Sequence, residues 1–133
     1  LEEGILPGGG VFLFNCSYYL GGPNETEEEK VATLIMKMSL LSPFNQIMSN
    51  AGINPEDVHH RLKIMASDVK EDELMRRQGY DVKNHQYGDM IDMGIVDPAK
   101  VTKNALRNAV SVATTILSTN AIITLARTYE SGE

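Results

Sequence analysis

The sequence is poor in cysteine and aromatic residues, and it has no long hydrophobic run. Its 133 residues contain one cysteine, Cys16, and no tryptophan. A single cysteine cannot form an internal disulfide, and the neighbours Phe12, Phe14 and Tyr19 indicate a small core residue instead. No apolar segment approaches the ~20 residues that span a bilayer, so we expect no membrane partner.

Positive charge is also scarce. The chain has 12 basic and 18 acidic residues, a net charge of -6 and a pI near 5.0. A chain with this balance lacks the basic surface that grips a phosphate backbone, so nucleic acid is not an expected partner. Its 42% hydrophobic content and mean hydropathy of -0.20 are typical of about one folded domain.

The common catalytic and metal-binding motifs are absent as well. The sequence has no GxxxxGKS or GxxxxGKT phosphate loop, no HExxH, no paired CxxC and no evident Ser/His/Asp or Cys/His set. His59 and His60 are adjacent on a predicted helix and His85 lies in a predicted loop, so surface positions are favoured over ligation. Asp89 and Asp92 could share an ion, but a solvated turn is the favoured interpretation.

The first half of the chain contains a series of helix signals. Gly8-Gly9-Gly10 leads into an apolar segment from Val11 to Leu20, which predicts a buried helix ending at Gly21-Gly22-Pro23. Asn24 is a good N-cap with Glu27 three residues later, and the helix that follows should bury one stripe. That stripe comprises Val31, Leu34, Ile35, Met38 and Leu41.

Two more helices are predicted before the middle of the chain. Pro43 should stop the second helix and open a third, which ends at Gly52. The apolar positions of this third helix are Phe44, Ile47, Met48 and Ala51. Asn54-Pro55-Glu56-Asp57 again combines a cap, a proline and acidic residues, which predicts a fourth helix. Its inward positions are Val58, Leu62 and Met65.

The remaining segments predict a little sheet. Asp68 to Gln78 is densely charged and should form a solvated loop or excursion. Tyr80 to Tyr87 could form a short hairpin around Lys83-Asn84, and Ile122 to Leu125 is short and β-branched enough for a C-terminal strand. The predicted fold class is therefore mostly α, a multi-helix bundle with a short β-hairpin and a C-terminal strand.

A long amphipathic helix is predicted after Asp97. Asp97 as the cap and Pro98 at the first helical position form a strong start signal. The apolar positions that follow should pack on one face; they are Val101, Ala105, Leu106, Ala109, Val112, Ala113, Ile116 and Leu117. One oxygen of the capping carboxylate could hold backbone N–H groups while the other accepts from a ligand hydroxyl. A purely structural cap is the alternative.

The glycine triplet also has two interpretations. Three adjacent glycines are compatible with a flexible turn. They also let the backbone approach a ligand closely, and N–H groups at a helix start attract phosphate oxygens. The residues alone leave both open.

Five separated motifs occur in an order found in a known family. They are Glu2 to Gly10, Asn50-Ala51-Gly52, Gly79-Tyr80-Asp81, Tyr87 to Pro98 and Lys100-Val101-Thr102. Together they resemble the closing part of the GroEL-type (group I) chaperonin subunit, in nearly the family's spacing. The resemblance covers essentially the whole chain.

The resemblance implies that residues 1–133 are the C-terminal half of the equatorial domain, the mostly helical domain that binds ATP and makes most ring contacts. Gly9 would then approach the nucleotide with its backbone. Asp81, Val82 and Lys83 would line the base and ribose, and Asp97 would accept from ribose hydroxyls. Val82 and Lys83 stand where the family usually has small residues, and the charged stretch from Asp68 resembles a lineage-specific surface insertion.

The resemblance also implies a fragment of a larger subunit, which fits the uncapped helix-like start at Leu1. The intact subunit would be an ATP-hydrolysing chaperonin that assists protein folding and refolding, with ATP and Mg as cofactors. Its partners would be identical subunits in a ring, and a co-chaperonin and unfolded polypeptides through domains outside this chain. The family's phosphate loop and Mg-binding aspartate also lie outside it. This chain alone is therefore expected neither to hydrolyse ATP nor to bind it tightly.

Two other functions are alternatives to this one. One is a free-standing helical protein-interaction module without ATPase activity, and the other is an unrelated small helical enzyme, for which the sequence offers no catalytic set. The charged stretch and the divergence at Lys83 favour a mitochondrion or plastid as the compartment. The bacterial cytoplasm is the alternative.

Overall fold

The computed structural model describes residues 3–68 and 77–119 of the chain. In chain order its elements are β1 (Ile5–Pro7), α1 (Val11–Ser17), α2 (Glu27–Asn50), α3 (Pro55–Asp68), β2 (Gln78–Asp81), β3 (Gln86–Asp89), β4 (Val96–Pro98) and α4 (Ala99–Leu117). The strands form two antiparallel pairs, β1 with β4 and β2 with β3. The predicted mostly helical fold with a short β-hairpin is confirmed. No helix among the described residues is long and apolar enough to cross a membrane.

The chain divides into two compact units, Leu1–Lys100 and Val101–Glu133. All five predicted site residues belong to the first unit. The predicted C-terminal strand from Ile122 to Leu125 lies outside the described residues, as does most of the charged segment between Asp68 and Gln78.

The core of the first unit forms where α1, α2 and α3 meet the turn after the hairpin. Its buried side chains are Val11, Phe14, Phe44, Met48, Val58, Leu62 and Met90. The rings of Phe14 on α1 and Phe44 on α2 lie 4.8 Å apart between centroids. Each large apolar side chain that is fully buried contributes about 1.5–3 kcal/mol, so this cluster is the main source of stability in the unit.

Helix α2 differs from its prediction at the start and in the middle. It begins after Thr26, two residues later than predicted from Asn24. The Thr26 hydroxyl accepts from the Glu29 backbone N–H at 3.2 Å, and the Glu29 carboxylate accepts from the Thr26 N–H at 2.8 Å. This reciprocal pair satisfies two N–H groups at the helix start.

Pro43 does not end this helix, so the predicted separate third helix is wrong. Pro43 lies inside a continuous α2, where a proline removes one backbone hydrogen bond. Burial of Leu40, Phe44 and Met48 on either side offsets that loss. Proline propensity is a local preference, and here tertiary packing overrides it.

Most of the predicted buried stripe of α2 is also wrong, although Leu41 does pack against the core cluster. Val31, Leu34, Ile35 and Met38 are each more than half exposed among the described residues. The side chains that α2 buries lie in its second half, because α1 has only seven residues and cannot cover a helix of 24. The first half of α2 therefore presents apolar surface.

Helix α1 is shorter than predicted, while α3 starts as predicted. Helix α1 ends at Ser17 rather than Leu20, and the N–H groups of Tyr18 and Tyr19 bond three residues back in a tightened last turn. Both tyrosines are then exposed, and Cys16 is only partly buried. At α3, the Asn54 side chain accepts from the Glu56 N–H at 3.1 Å, which confirms the cap.

Replacement of Gly79 by alanine tests the tightest packing in the core. A Cβ at Gly79 would lie 2.5 Å from Met90 Sδ and 2.6 Å from Val11 Cγ2. We expect Gly79→Ala to lower the free energy of unfolding by about 1–3 kcal/mol, because both neighbours are buried. Urea unfolding followed by circular dichroism measures this.

The matched control is Gly22→Ala, since a Cβ at Gly22 meets nothing within 4 Å. Its effect should stay within about 0.5 kcal/mol. Equal destabilisation by the two substitutions would contradict the packing described here.

Candidate nucleotide site

The glycine triplet forms a tight turn between β1 and α1. Gly9 and Gly10 adopt φ angles of +65° and +77°, which side chains other than glycine rarely accept. A Cβ at Gly10 would lie 2.8 Å from the backbone nitrogen of Phe44. Gly10 is therefore explained by packing, whereas a Cβ at Gly9 would meet the flexible end of Met90 at 3.2 Å.

The ribbon of β1 and β4 brings Asp97 close to this turn. Leu6 pairs with Asp97 and Pro7 with Val96, and the Gly8 N–H donates to the Ile95 carbonyl at 2.9 Å. Gly8 and Gly9 follow Pro7, the last residue of β1, and the Gly8–Ile95 bond joins this turn to the residue that precedes β4. Gly9 and Asp97 are therefore both close to the end of the β1–β4 ribbon and not on opposite sides of the unit.

Asp97 is a strand residue, so the prediction that it caps the long helix is wrong. Helix α4 begins at Ala99, and the Ala99 N–H donates to the Gly4 carbonyl at 3.1 Å. Pairing with β1 holds Asp97 in extended geometry. Its carboxylate is partly buried, and within the described residues it has no hydrogen bond or ion pair. Both oxygens are available to a ligand donor.

The predicted packing of the long helix on one face is not observed either. Helix α4 buries no residue among those described. Val101, Val112 and Ile116, which were predicted to face a core, are 62%, 59% and 51% exposed. Its amphipathic pattern is real, but its apolar positions remain accessible.

Asp81 closes the tip of the β2–β3 hairpin with its carboxylate. One oxygen accepts from the Lys83 and Asn84 N–H groups at 2.8 and 3.3 Å, and the other accepts from Asn84 Nδ2 at 2.6 Å. These bonds, led by the Asn84 side chain, lower the pKa of Asp81. The residue is 7% exposed, and its side chain shapes the turn.

Val82 and Lys83 have different surroundings at this tip. Val82 is partly buried and packs against the core cluster, while Lys83 is exposed. Asp81 holds the backbone of both residues in place through the turn. The hairpin register, with Tyr80 opposite Tyr87, confirms the predicted turn around Lys83-Asn84.

Asp89 and Asp92 meet an arginine rather than a metal ion. Arg77 Nε lies 2.8 Å from Asp89 Oδ2, and Arg77 Nη2 lies 3.2 Å from Asp92 Oδ1. The other Asp89 oxygen accepts from the Ile91 and Asp92 N–H groups. Among the described residues no cluster of three His, Cys, Asp or Glu side chains is suited to a metal.

Met90 joins the turn, the ribbon and the hairpin, and sequence reasoning missed it. It is 1% exposed, its side chain lies against both Gly9 and Gly79, and its carbonyl accepts from the Ile95 N–H at 2.8 Å. A glycine inside a strand often marks a place where another group approaches the backbone closely. Gly79 is such a glycine, and it is the signal that could have pointed to Met90. A separate cleft of about 520 Å³ beside the start of α2 includes none of the five predicted residues.

Comparison with solved structures defines the class. The fold matches a group III chaperonin in the open state with a TM-score of 0.74 and 30% identity, over 92% of this chain and 24% of that one. It also matches the open-state monomer of a group II chaperonin from Methanococcoides burtonii, with a TM-score of 0.66 and 19% identity, over 86% of this chain and 28% of that one. The second likeness concerns the fold alone. The described fold is that of a chaperonin segment.

Sequence comparison gives the family. The profile of the TCP-1/cpn60 chaperonin family matches residues 1–127. The chain is 42% identical over 125 residues to chaperonin GroEL of Orientia tsutsugamushi (strain Boryong), and 40% identical over 126 residues to chaperonin GroEL 3 of Acaryochloris marina (strain MBIC 11017). The chain belongs to the TCP-1/cpn60 chaperonin family, and its resemblance to the GroEL-type subunit is confirmed.

The matched region is a small part of these relatives. The alignments cover 93% and 92% of this chain but only 21% and 22% of the two GroEL proteins. The chain therefore spans about a fifth of the length of the curated relatives it matches.

Asp81→Asn tests the hairpin clamp through its pH dependence. Because the pKa of Asp81 is lowered from 3.8, its charged form stabilises the fold above that value and the contribution is lost as pH falls through the folded pKa. We expect Asp81→Asn to destabilise the chain at pH 6, and the gap from wild type to narrow as pH falls below about 4. Unfolding in urea at a series of pH values measures it.

Glu28→Gln removes an exposed carboxylate in the first turn of α2 and serves as the control. The Glu28→Gln variant should show little of the pH-dependent loss of stability expected for Asp81→Asn. A gap for Asp81→Asn that stays constant from pH 6 to pH 3 would refute the clamp.

Proposed function

We propose that this chain is the C-terminal half of a chaperonin equatorial domain, and that it supplies part of the ATP site of a subunit that assists protein folding and refolding. The observation that supports this most is the β1–β4 register. It places Asp97 opposite Leu6, three residues before Gly9, and the Asp97 carboxylate is unengaged among the described residues. One nucleotide bound at this end of the ribbon would be able to contact both residues.

Each predicted residue has a role in this proposal that its surroundings permit. Asp97 accepts hydrogen bonds from the ribose hydroxyls, and Gly9 offers a backbone that no side chain of its own shields. Asp81 fixes the hairpin tip through Lys83 and Asn84, so that Val82 and Lys83 present backbone and side-chain stems to the base. Met90 keeps the turn and the hairpin together.

The remaining parts of the site belong elsewhere in the subunit. Phosphoryl transfer depends on positioned phosphates and on Mg, which neutralises the developing charge. We assign the metal ligands to residues outside the described part of this chain. A ribose acceptor and one glycine contact position a nucleotide weakly, so the chain alone binds ATP at best in the millimolar range and does not hydrolyse it.

The exposed apolar surface supports incorporation into a larger assembly. More than half of each of Val31, Leu34, Ile35 and Met38 is accessible on α2. Surfaces of this kind mark interaction sites in soluble proteins. We assign the partners of the intact protein as identical subunits in a ring, with a co-chaperonin and unfolded polypeptides bound through other domains. The bacterial relatives favour the bacterial cytoplasm over the organelle expected from the sequence.

Asp97→Ala in an intact subunit that carries this segment tests the proposed ribose contact. Loss of a hydrogen bond to a charged acceptor costs about 1.5–3 kcal/mol, so ATP should bind roughly 10- to 100-fold more weakly. Calorimetric titration with ATP and Mg measures the change. Asp92→Ala removes the same charge from an exposed turn where Arg77 is its partner, and it should leave the affinity within twofold.

If both substitutions weaken ATP binding equally, the Asp97 effect comes from the loss of a negative charge in general, and the ribose contact is contradicted. The 133-residue chain by itself provides the second control. Submicromolar ATP binding to this chain alone would contradict the assignment of the other contacts to residues outside it.

The accessible α2 stripe predicts self-association of the isolated chain. We expect light scattering over a concentration series to show oligomers, because burial of apolar surface is the available driving force. Ile35→Lys places a charge in a side chain that is 59% exposed and should lower the average mass. Ser42→Lys, on an exposed polar position of the same helix, should not. A wild-type chain that stays monomeric at all concentrations would contradict this prediction.

A further inference from the structure

The imidazole of His59 packs against two phenylalanines of the core, although the residue as a whole is only partly buried. Its ring centroid is 4.9 Å from that of Phe14 on α1 and 5.5 Å from that of Phe44 on α2. Both phenylalanines are almost completely buried. His59 Nε2 is itself buried, and it has no hydrogen-bond partner in the described part of the chain. His60 and His85, by contrast, are exposed.

The two protonation states of this ring differ in what they bury. A neutral imidazole can carry its proton on Nδ1 and leave Nε2 as a bare acceptor, which costs one unmade hydrogen bond. A protonated imidazole has an N–H at both nitrogens and a full positive charge. At His59 the second N–H would be on the buried nitrogen, which has no acceptor among the described residues, so the partly buried charged form is less favourable than the neutral one.

Few titratable groups face this ring from the elements that surround it. Glu56, one turn earlier on α3, is the charged residue that acts on it and favours its protonation. Helix α1 presents Phe14 with the Tyr18 phenol beyond it, at 5.3 Å between ring centroids. Helix α2 presents Phe44. Burial lowers the pKa of His59 and outweighs Glu56, and burial raises the pKa of Tyr18, which stays neutral.

We propose that His59 is a pH-sensitive latch that holds α3 against α1 and α2 in its neutral form and releases it on mild acidification. The ordinary pKa of histidine is about 6.5. As pH falls below this value, His59 in the released or unfolded chain binds a proton more readily than His59 in the packed state. Stability contributed by the neutral ring is therefore full above that pH. It is lost as pH falls through the folded pKa.

Helix α3 is the element on which this latch acts. Val58 and Leu62 on its inner face belong to the same buried cluster as Phe14 and Phe44, so undocking of His59 strains the contacts of the whole helix. Arg61 and Asp57 on α3 also influence Tyr87 of the hairpin. Release of α3 therefore changes the charged surroundings of Tyr87 on the β2–β3 hairpin as well as the packing of the core.

The ring titration can be measured directly by NMR in the full 133-residue chain. The His59 ring signals should titrate below pH 6.5, and the ratio of folded to unfolded chain from urea unfolding should fall between pH 7 and pH 5. That fall amounts to about tenfold for each unit by which the pKa is lowered. Amide hydrogen exchange, corrected for its intrinsic pH dependence, should show α3 losing protection before α1.

His59→Phe keeps an aromatic ring in the cluster and removes the titrating group, so it should abolish this part of the pH dependence. His60→Gln alters the exposed neighbour and should preserve it. A pH dependence that His59→Phe leaves unchanged would overturn the proposal. So would a wild-type His59 that titrates at or above pH 6.5, since charge stabilisation by the Phe14 and Phe44 faces would then dominate; this second readout needs no variant to fold.

Discussion

The close packing of Met90 against two glycines is the constraint on which the candidate site depends. Its side chain fills space that a Cβ at Gly79 would occupy, and it lies against Gly9 as well. Its carbonyl accepts a hydrogen bond from the N–H of Ile95, whose own carbonyl accepts from Gly8. The glycine turn, the two-stranded ribbon that carries Asp97, and the hairpin with Asp81 are thereby held around one buried methionine. Interiors are packed densely enough that such contacts fix relative positions.

Local signals in the sequence were reliable where both partners of an interaction are close along the chain. The Asn54 cap and the Tyr80 to Tyr87 hairpin depend on neighbours within a few residues, and both were predicted. Pro43 was misread because the energy that keeps α2 continuous comes from Phe44 packing on another helix. The Thr26 cap was misread because Asn24 gives an equally good local signal, and only the observed reciprocal bonds decide between them.

The candidate site was partly predictable for the same reason. The identities of Gly9 and Asp97 follow from the family's motifs, but the interpretation of Asp97 as a helix cap failed because its strand partner, Leu6, is 91 positions away in sequence. No pattern reveals such a pairing. The apolar residues in the first half of α2 and along α4 were wrongly assumed to be buried within this chain. His59 was assigned to the surface because it adjoins His60 on a helix, and no local signal shows that its ring packs against Phe14 and Phe44.

Chemical-shift mapping with ADP tests the central claim most directly, because millimolar binding is well suited to it. The account predicts that the backbone amides of Gly9, Val82, Lys83 and Asp97 shift together and saturate with a single dissociation constant. Asp97→Ala should weaken all of these shifts at once. Shifts confined to the cleft lined by Gly22 and Thr33, with the glycine turn and Asp97 unaffected, would contradict the account.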